Sequence, residues 1–446
     1  MAQKWIWITG FVLAAVAGCA SLGDYASDDP GFEERPGRFE GRFVAVSDAD
    51  MAGTAYGDGK IEPFEGALDE ITLFAEGAPI AEAPAPNSVV SWPQIVDVSP
   101  DGRHAFVIET FGSLPPGTEQ VESAYSAFPK ASTLRVYAID GTSLTEVAMV
   151  ENVGSVPQSV EVSSDGRFLV IGSESDGAEL TIIPLDADGL PGEPRFIDLA
   201  PPYEVDDSEP RIRTLHLAPD GRTLAANVGN VRVQFYNLTP DEEGIPVDVV
   251  AINEPIEFGV RLAVGRWTPD NRFFLITDVN AYDSTLAMLT QRGGQVHVIS
   301  PPSNTEPARL IDSSRVGRFA EGLELSDDGT MVASIAMERT YLPELFFLET
   351  WPRRRTYMLA LLSLNPETGE LTEMDRIRAA GILPEDVIFD ETGRNLAVAV
   401  FHRRKGPDRL RGFIDYFEID DGGNLRAQNR TQAVMRGPHD LVRLPD

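Results

Sequence analysis

The chain has 446 residues, 42% of them hydrophobic, with 37 basic and 70 acidic side chains and a formal charge of −33. The hydrophobic share excludes a wholly disordered chain and a polytopic membrane protein. The acidic excess repels phosphate backbones and excludes nucleic acid as a general partner, and the single cysteine excludes an internal disulfide.

Residues 1–18 read as a signal peptide. Lys4 supplies its positive charge, and Trp5 to Ala15 is an apolar run shorter than the ~20 residues of a spanning helix. Val16-Ala17-Gly18-Cys19 resembles the lipobox of bacterial lipoproteins. That resemblance implies cleavage before Cys19, acylation of its thiol and attachment to a membrane. Ala20, where inner-membrane lipoproteins carry Asp, implies the outer membrane facing the periplasm. Residues 19–36 are polar and read as a flexible tether.

From residue 37 to 446 the sequence repeats. Ser99-Pro100-Asp101-Gly102-Arg103 returns as Ser163-Ser164-Asp165-Gly166-Arg167, Ala218-Pro219-Asp220-Gly221-Arg222 and Thr268-Pro269-Asp270-Asn271-Arg272. Ser326-Asp327-Asp328-Gly329-Thr330 and Asp390-Glu391-Thr392-Gly393-Arg394 follow. Asp-Gly and Asp-Asn suit a tight hairpin turn that needs a positive φ. Apolar runs flank each copy, as in Val96-Asp97-Val98 and Ala105-Phe106-Val107-Ile108, and a second strand pair follows, as in Leu134 to Tyr137 and Glu146 to Met149. Each repeat therefore reads as four strands, A to D.

The C-terminal Gly437-Pro438-His439-Asp440-Leu441-Val442-Arg443-Leu444-Pro445-Asp446 aligns with Trp92 to Asp101 and stops at the hairpin. The missing half stands near the N-terminus as Gly41-Arg42-Phe43-Val44-Ala45-Val46. Pairing the last strand with the first strands closes a ring and removes exposed edges. The expectation is an all-β fold, a single seven-bladed β-propeller of four-stranded blades.

The pattern Pro-x-x-Val-x-Val-Ser-x-Asp-Gly-Arg, with C-strand turns such as Ile414 to Leu425 and Met358 to Leu371, resembles the seven-bladed lactonase-like and YVTN-type propellers. The resemblance implies the fold over almost the whole chain. As an alternative function it implies a lactonase-type hydrolase or isomerase acting on a small lactone or sugar-acid, with Arg213 holding an anionic group and Glu321 or His439 acting as base.

The residue before each strand A falls at the mouth of the central channel: Gln94, Gln158, Arg213, Glu321, Glu385 and His439, with Arg261 or Ala263 in the remaining blade. This polar ring suits either a small polar ligand or a hydrated channel. The long B–C segments 111–132, 280–294, 339–356 and 402–412 project on the same face, opposite the Asp-Gly-Arg hairpins. Two of them carry Trp351, Arg353, Arg354 and Arg355, and His402, Arg403, Arg404 and Lys405. Arg and aromatics are enriched in binding hot spots, so these loops read as a docking patch for an envelope protein or a small anionic ligand, or as loops packing their own aromatics.

His104, His216 and His297 fall on predicted strands and read as structural. No metal-binding His spacing, nucleophile elbow, P-loop or dinucleotide fingerprint is present, so no metal or cofactor is expected. The primary functional expectation is a lipid-anchored binding platform in the bacterial cell envelope.

Overall fold

The computed structural model describes residues 33–49, 68–87, 94–115, 118–119, 121, 128–199, 212–280, 293–303, 305–338, 356–402 and 411–445. Among them the regular structure is strand only, arranged as seven sheets that each hold four antiparallel strands, one of them with a fifth, parallel strand added. The chain is a seven-bladed β-propeller. Blade 1 joins Pro438–Arg443 to Arg42–Ser47, Glu70–Ala75 and Ala78–Pro84. The inner strands of blades 2 to 7 are Val96–Val98, Pro157–Val162, Ile212–Leu217, Leu262–Trp267, Ala320–Leu325 and Ile382–Phe389.

The repeated hairpin motif works through its aspartate. In blade 2 the Gly102 N–H donates to the Ser99 carbonyl at 2.8 Å, and Gly102 takes a φ of +67°, which glycine adopts without strain. Asp101 accepts the Ser99 hydroxyl at 2.6 Å and both the amide and Nε of Arg103. Burial alone would raise the Asp101 carboxyl, but these hydrogen bonds overcome it and hold it down at about 2. Asp165 repeats all three bonds, and Asp270 repeats the hydroxyl and amide bonds.

Closure follows the register expected from the split repeat. Phe43, Val44, Ala45 and Val46 pair with Arg443, Val442, Leu441 and Asp440. Two tyrosines clamp the closing blade from its neighbours. The Tyr416 hydroxyl donates to the Gly77 carbonyl at 2.8 Å, and the Tyr137 hydroxyl to the Pro84 carbonyl at 2.9 Å. Phe39, Phe43, Phe74 and Tyr416 pack in the apolar layer between blades 7 and 1.

The end of the segment read as a tether is held against the body. Glu33–Glu34 adds a fifth, parallel strand to blade 7, opposite Arg430 and Thr431. Beyond it the Arg38 amide donates to Gln428 Oε1 at 2.7 Å. The outer strand Leu425–Val434 is a sheet edge with unpaired backbone groups, and this segment covers it. Residues 1–32, including Cys19, lie outside the described residues.

Inner strands are edges too, and acidic side chains satisfy them. Asp97 accepts the Val162 N–H at 2.6 Å, and Glu161 accepts that of Leu217 at 2.6 Å. Asp386 accepts the Leu441 N–H at 2.9 Å. Each reaches from one blade to the next, where an orphaned buried amide would otherwise be destabilising.

Candidate functional site

The mouth residues share a backbone device. In blade 3 Pro157 pairs with Ser173 and Ser159 with Gly172, so Gln158 is the extra residue of a β-bulge. The same irregularity falls at Arg213, at Glu321, at Glu385 and at His439. In blade 5 it falls between Leu262 and Gly265, which gives the register to Ala263 rather than Arg261. A bulge re-aims the side chain at one end of a strand, and here it does so at one level of the ring in six blades.

All these side chains except Arg213, which is half-buried, are buried at the channel wall. Gln158 Nε2 donates to Glu174 Oε1 at 2.7 Å. Arg213 directs Nε and Nη2 at Asn230 Oδ1, at 3.0 and 2.7 Å. His439 Nε2 lies 3.0 Å from Asn87 Oδ1, and burial pushes the ring down to about 3. It is neutral at physiological pH, donates through Nε2 and is a weak base. Among the described residues its Nδ1 has no partner.

Glu321 and Glu385, on neighbouring inner strands, form a carboxyl pair. Burial, and then the Glu385 charge, push Glu321 well above the usual carboxylate range. Burial pushes Glu385 up to about 8. Glu321 is the protonated donor and Glu385 the acceptor, since their mutual hydrogen bond raises the first and lowers the second. Glu321 Oε2 and Glu385 Oε1 are buried and, apart from the bond between the two carboxyls, accept from no N–H or O–H group among the described residues. The pair thus keeps a proton near neutrality, the equipment of acid–base chemistry.

The opposite end of the channel holds a cavity of about 360 Å³. Gln94, Asp97, Glu161, His216, Arg266 and Glu324 line its polar part, and it reaches the hairpin residues Pro219 and Asp327. Gln94 is therefore deeper than the mouth. His216 places Nδ1 3.1 Å from Glu161 Oε1 and Nε2 3.0 Å from Thr214 Oγ1. Burial lowers its pKa, so it is neutral. Arg266 donates Nε to Glu324 Oε2 and Nη1 to the Gly265 carbonyl, both at 3.0 Å. Burial disfavours its charge, but Glu324, Asp386 and Asp440 overcome that. Sequence reasoning missed this second ring. Its signal was a polar residue three positions after five of the seven mouth residues, namely Asp97, Glu161, His216, Arg266 and Glu324, where Glu385 and His439 are followed instead by Ile388 and Val442.

Trp351, Arg353, Arg354, Arg355, Arg403, Arg404 and Lys405 of the expected docking patch lie outside the described residues; for His402 only the end of strand Asn395–His402 is described. Among the described residues no group of three or more His, Cys, Asp or Glu is arranged to hold a metal ion.

The family model described as Lactonase, 7-bladed beta-propeller, matches residues 68–404. Among curated proteins none matches the sequence. Among solved structures, a Bacteroides fragilis protein provisionally assigned as a 6-phosphogluconolactonase superposes with a TM-score of 0.60 at 16% identity, over 94% of this chain and 99% of that one. The periplasmic gluconolactonase of Pseudomonas aeruginosa superposes at 0.56 and 19% identity, over 91% and 99% of the two chains. A Bacteroides uniformis protein with the same provisional assignment as the first gives 0.58 and 17%, over 90% and 98%. At these identities the likeness is one of fold.

Proposed function

The chain belongs to the lactonase family of seven-bladed β-propellers, and on that premise we propose that it hydrolyses a small sugar-acid lactone at the bulged end of its channel. The observation that carries this reading is the buried Glu321–Glu385 pair, which holds a proton near neutrality. Glu385 as carboxylate takes a proton from water, and the resulting hydroxide character attacks the lactone carbonyl carbon. The C–O bond of the ring breaks as protonated Glu321 delivers its proton to the departing ring oxygen. The pair has then passed one proton across itself, and exchange restores it. Arg213, oriented by Asn230, is placed at the same level of the ring to hold an anionic group of the substrate. The names of the solved gluconolactonase neighbours add support for this substrate class, and a lipid anchor at Cys19 would place the activity in the cell envelope.

The test is hydrolysis of a panel of aldonolactones, followed by proton release and corrected for the enzyme-free rate. Glu321→Gln and Glu385→Gln are each expected to lower kcat by about 10²–10⁴, the usual contribution of a positioned acid or base. A wild-type rate no greater than the enzyme-free rate for every lactone would overturn the reading. The binding-platform alternative would then stand, resting on the sequence segments 339–356 and 402–412.

A further inference from the structure

Three strands of blade 5 bring an aspartate, a histidine and a serine to one face. In the strands Phe274–Asp278, Gly294–Ser300 and Arg309–Gly317, Ile276 pairs with His297 and His297 with Ser313, so these side chains share a face. Asp278 stands two residues beyond Ile276 and shares it too. This face turns towards blade 4, whose outer strand Pro246–Glu257 leads into Phe258, and the Phe258 ring meets the His297 ring edge-on at 5.0 Å.

His297 Nδ1 lies 2.7 Å from Ser313 Oγ. Its Nε2 faces Asp278 Oδ2 at 3.7 Å and has no hydrogen-bond partner among the described residues. Asp278 is fixed by three backbone amides, accepting from Val260 at 3.0 Å, Arg261 at 2.9 Å and Asn280 at 2.8 Å. Burial alone would raise its carboxyl, but His297 and the amides of Arg261 and Asn280 overcome it and hold it below the usual carboxylate range. A proton on Nε2 therefore points at a carboxylate, and Nδ1 is left to accept from the Ser313 hydroxyl. His297 and Asp278 are buried, while Ser313 is half-buried on the outermost strand, at the outer end of the row.

We propose that Ser313 is the nucleophile of a second site, which transfers acyl groups from small carboxylic esters, with His297 as its base and Asp278 positioning that base. A hydroxyl within hydrogen-bond reach of a ring nitrogen, whose other nitrogen is aimed at a fixed carboxylate, is the arrangement that activates a serine. Catalytic hydrogen bonds are commonly long before substrate binds, and closing the 3.7 Å gap needs a ring movement of under ~1 Å. Leu310 pairs with Ile299 on the same face and is 42% exposed, and with Phe258 it offers apolar surface to the acyl chain. In the reaction Ser313 Oγ bonds to the ester carbonyl carbon and gives its proton to His297 Nδ1. The bond from that carbon to the alcohol oxygen breaks, and the alcohol leaves with the proton. Water then repeats the sequence on the acyl-serine, releasing the acid and restoring Ser313. The Glu321–Glu385 pair uses water directly and forms no covalent intermediate, so this site and the lactonase reading stand or fall separately.

The experiment is burst-phase kinetics of the full chain with 4-nitrophenyl acetate, read as nitrophenol release and, after acid quench, as acetylated peptide by mass spectrometry. A burst of about one acetyl group per chain is expected, carried by Ser313. Ser313→Ala should abolish the burst while leaving the thermal melt unchanged, and His297→Gln should slow acetylation by about 10². Asp278→Asn supplies a readout that packing alone would not move. Nitrogen NMR should place the ring proton on Nε2 in the wild type and on Nδ1 in this variant, with acetylation slowed. The Ser313→Ala burst carries the test if a melt shows that His297→Gln does not fold. No acetyl group on wild-type Ser313, a burst that survives Ser313→Ala, unslowed acetylation in folded His297→Gln, or a wild-type ring protonated on Nδ1 would overturn the assignment.

Discussion

Asp440 accepts the amide protons of both Ile95, at 2.6 Å, and Val96, at 2.9 Å, and so ties the last inner strand of the chain to the inner strand of blade 2. Asp386 makes the equivalent link from blade 7 to blade 1, Asp97 from blade 2 to blade 3, and Glu161 from blade 3 to blade 4. Acids lining the channel therefore have a structural duty before any chemical one. This separates them from the Glu321–Glu385 pair, whose Glu321 Oε2 and Glu385 Oε1 bond to no backbone amide among the described residues.

Removal of residues 437–446 takes away the inner strand of blade 1 together with both Asp440 contacts. It exposes the edge of Arg42–Ser47 and leaves the Ile95 and Val96 amides without their acceptor. The truncated chain is expected to lose the wild-type cooperative melt by circular dichroism, where a frayed ten-residue tail would change little. An unaltered melting temperature would refute the role of closure in stability.

The tyrosine clamps on blade 1 give a quantitative expectation. Tyr416→Phe leaves the Gly77 carbonyl unpaired in a buried interface, and Tyr137→Phe removes a part-buried bond to the carbonyl of the exposed Pro84. Each is expected to destabilise by about 1 kcal/mol in a denaturant titration, the net value of an intramolecular hydrogen bond. The two contacts lie on opposite sides of the blade and share no partner, so the double variant should lose about 2 kcal/mol. A double variant no worse than either single would show that the two clamps are coupled.

The repeated Asp-Gly-Arg hairpins made the fold legible, because turn chemistry is local and each aspartate bonds within its own motif. Closure was legible for the same reason: a half-motif at Asp446 needs the half at Gly41. The mouth ring was legible as a register, since its residues stand at a fixed offset from the hairpins. That those residues sit at β-bulges was not, because a bulge depends on how strands A and B pair and leaves no mark in periodicity. The cavity around Asp97, Glu161 and Arg266 was hidden for a similar reason. Asp97 and Glu161 stand at the polar positions of the strand alternation, but which space they meet depends on the rotation of one blade against the next. The strand Glu33–Glu34 is too short to have a period at all.

The channel acids also set the sign of the pH dependence. Burial raises Asp97 and Asp440 to about 7, and it raises Asp386, Glu321 and Glu385 as well. A carboxyl raised on folding binds more protons in the native state than in the unfolded one. Its stabilisation is full below about pH 4 and is lost as pH rises through the native value. The hairpin acids Asp101, Asp165, Asp270 and Asp328 are shifted down, so their contribution is lost as pH falls below about 4. The two groups together place maximal stability near pH 5, with a decline towards pH 8.5 that repulsion within a chain of charge −33 deepens. Melting temperatures across pH 4 to 9 test this. The variant Asp97→Asn should show a shallower decline above pH 6, and a stability that rises steadily from pH 5 to pH 8.5 would contradict the assignment.

The carboxyl pair makes the sharpest forecast for activity. A catalytic base works in its ionised form, so the rate follows the fraction of that form. With Glu385 raised to about 8 by burial, kcat/KM for lactone hydrolysis should climb with pH and level off only above about 8, after subtraction of the enzyme-free rate. An ordinary exposed glutamate would have levelled off before pH 6. Glu385→Gln should leave a residual rate that no longer follows this titration. His439→Asn supplies the control. Its ring is neutral throughout the range because burial holds it at about 3, so its replacement should leave the midpoint of the profile where it was even if the rate falls. A midpoint near 4 to 5, or a midpoint that moves with His439 and ignores Glu385, would transfer the base from the glutamate pair to another group.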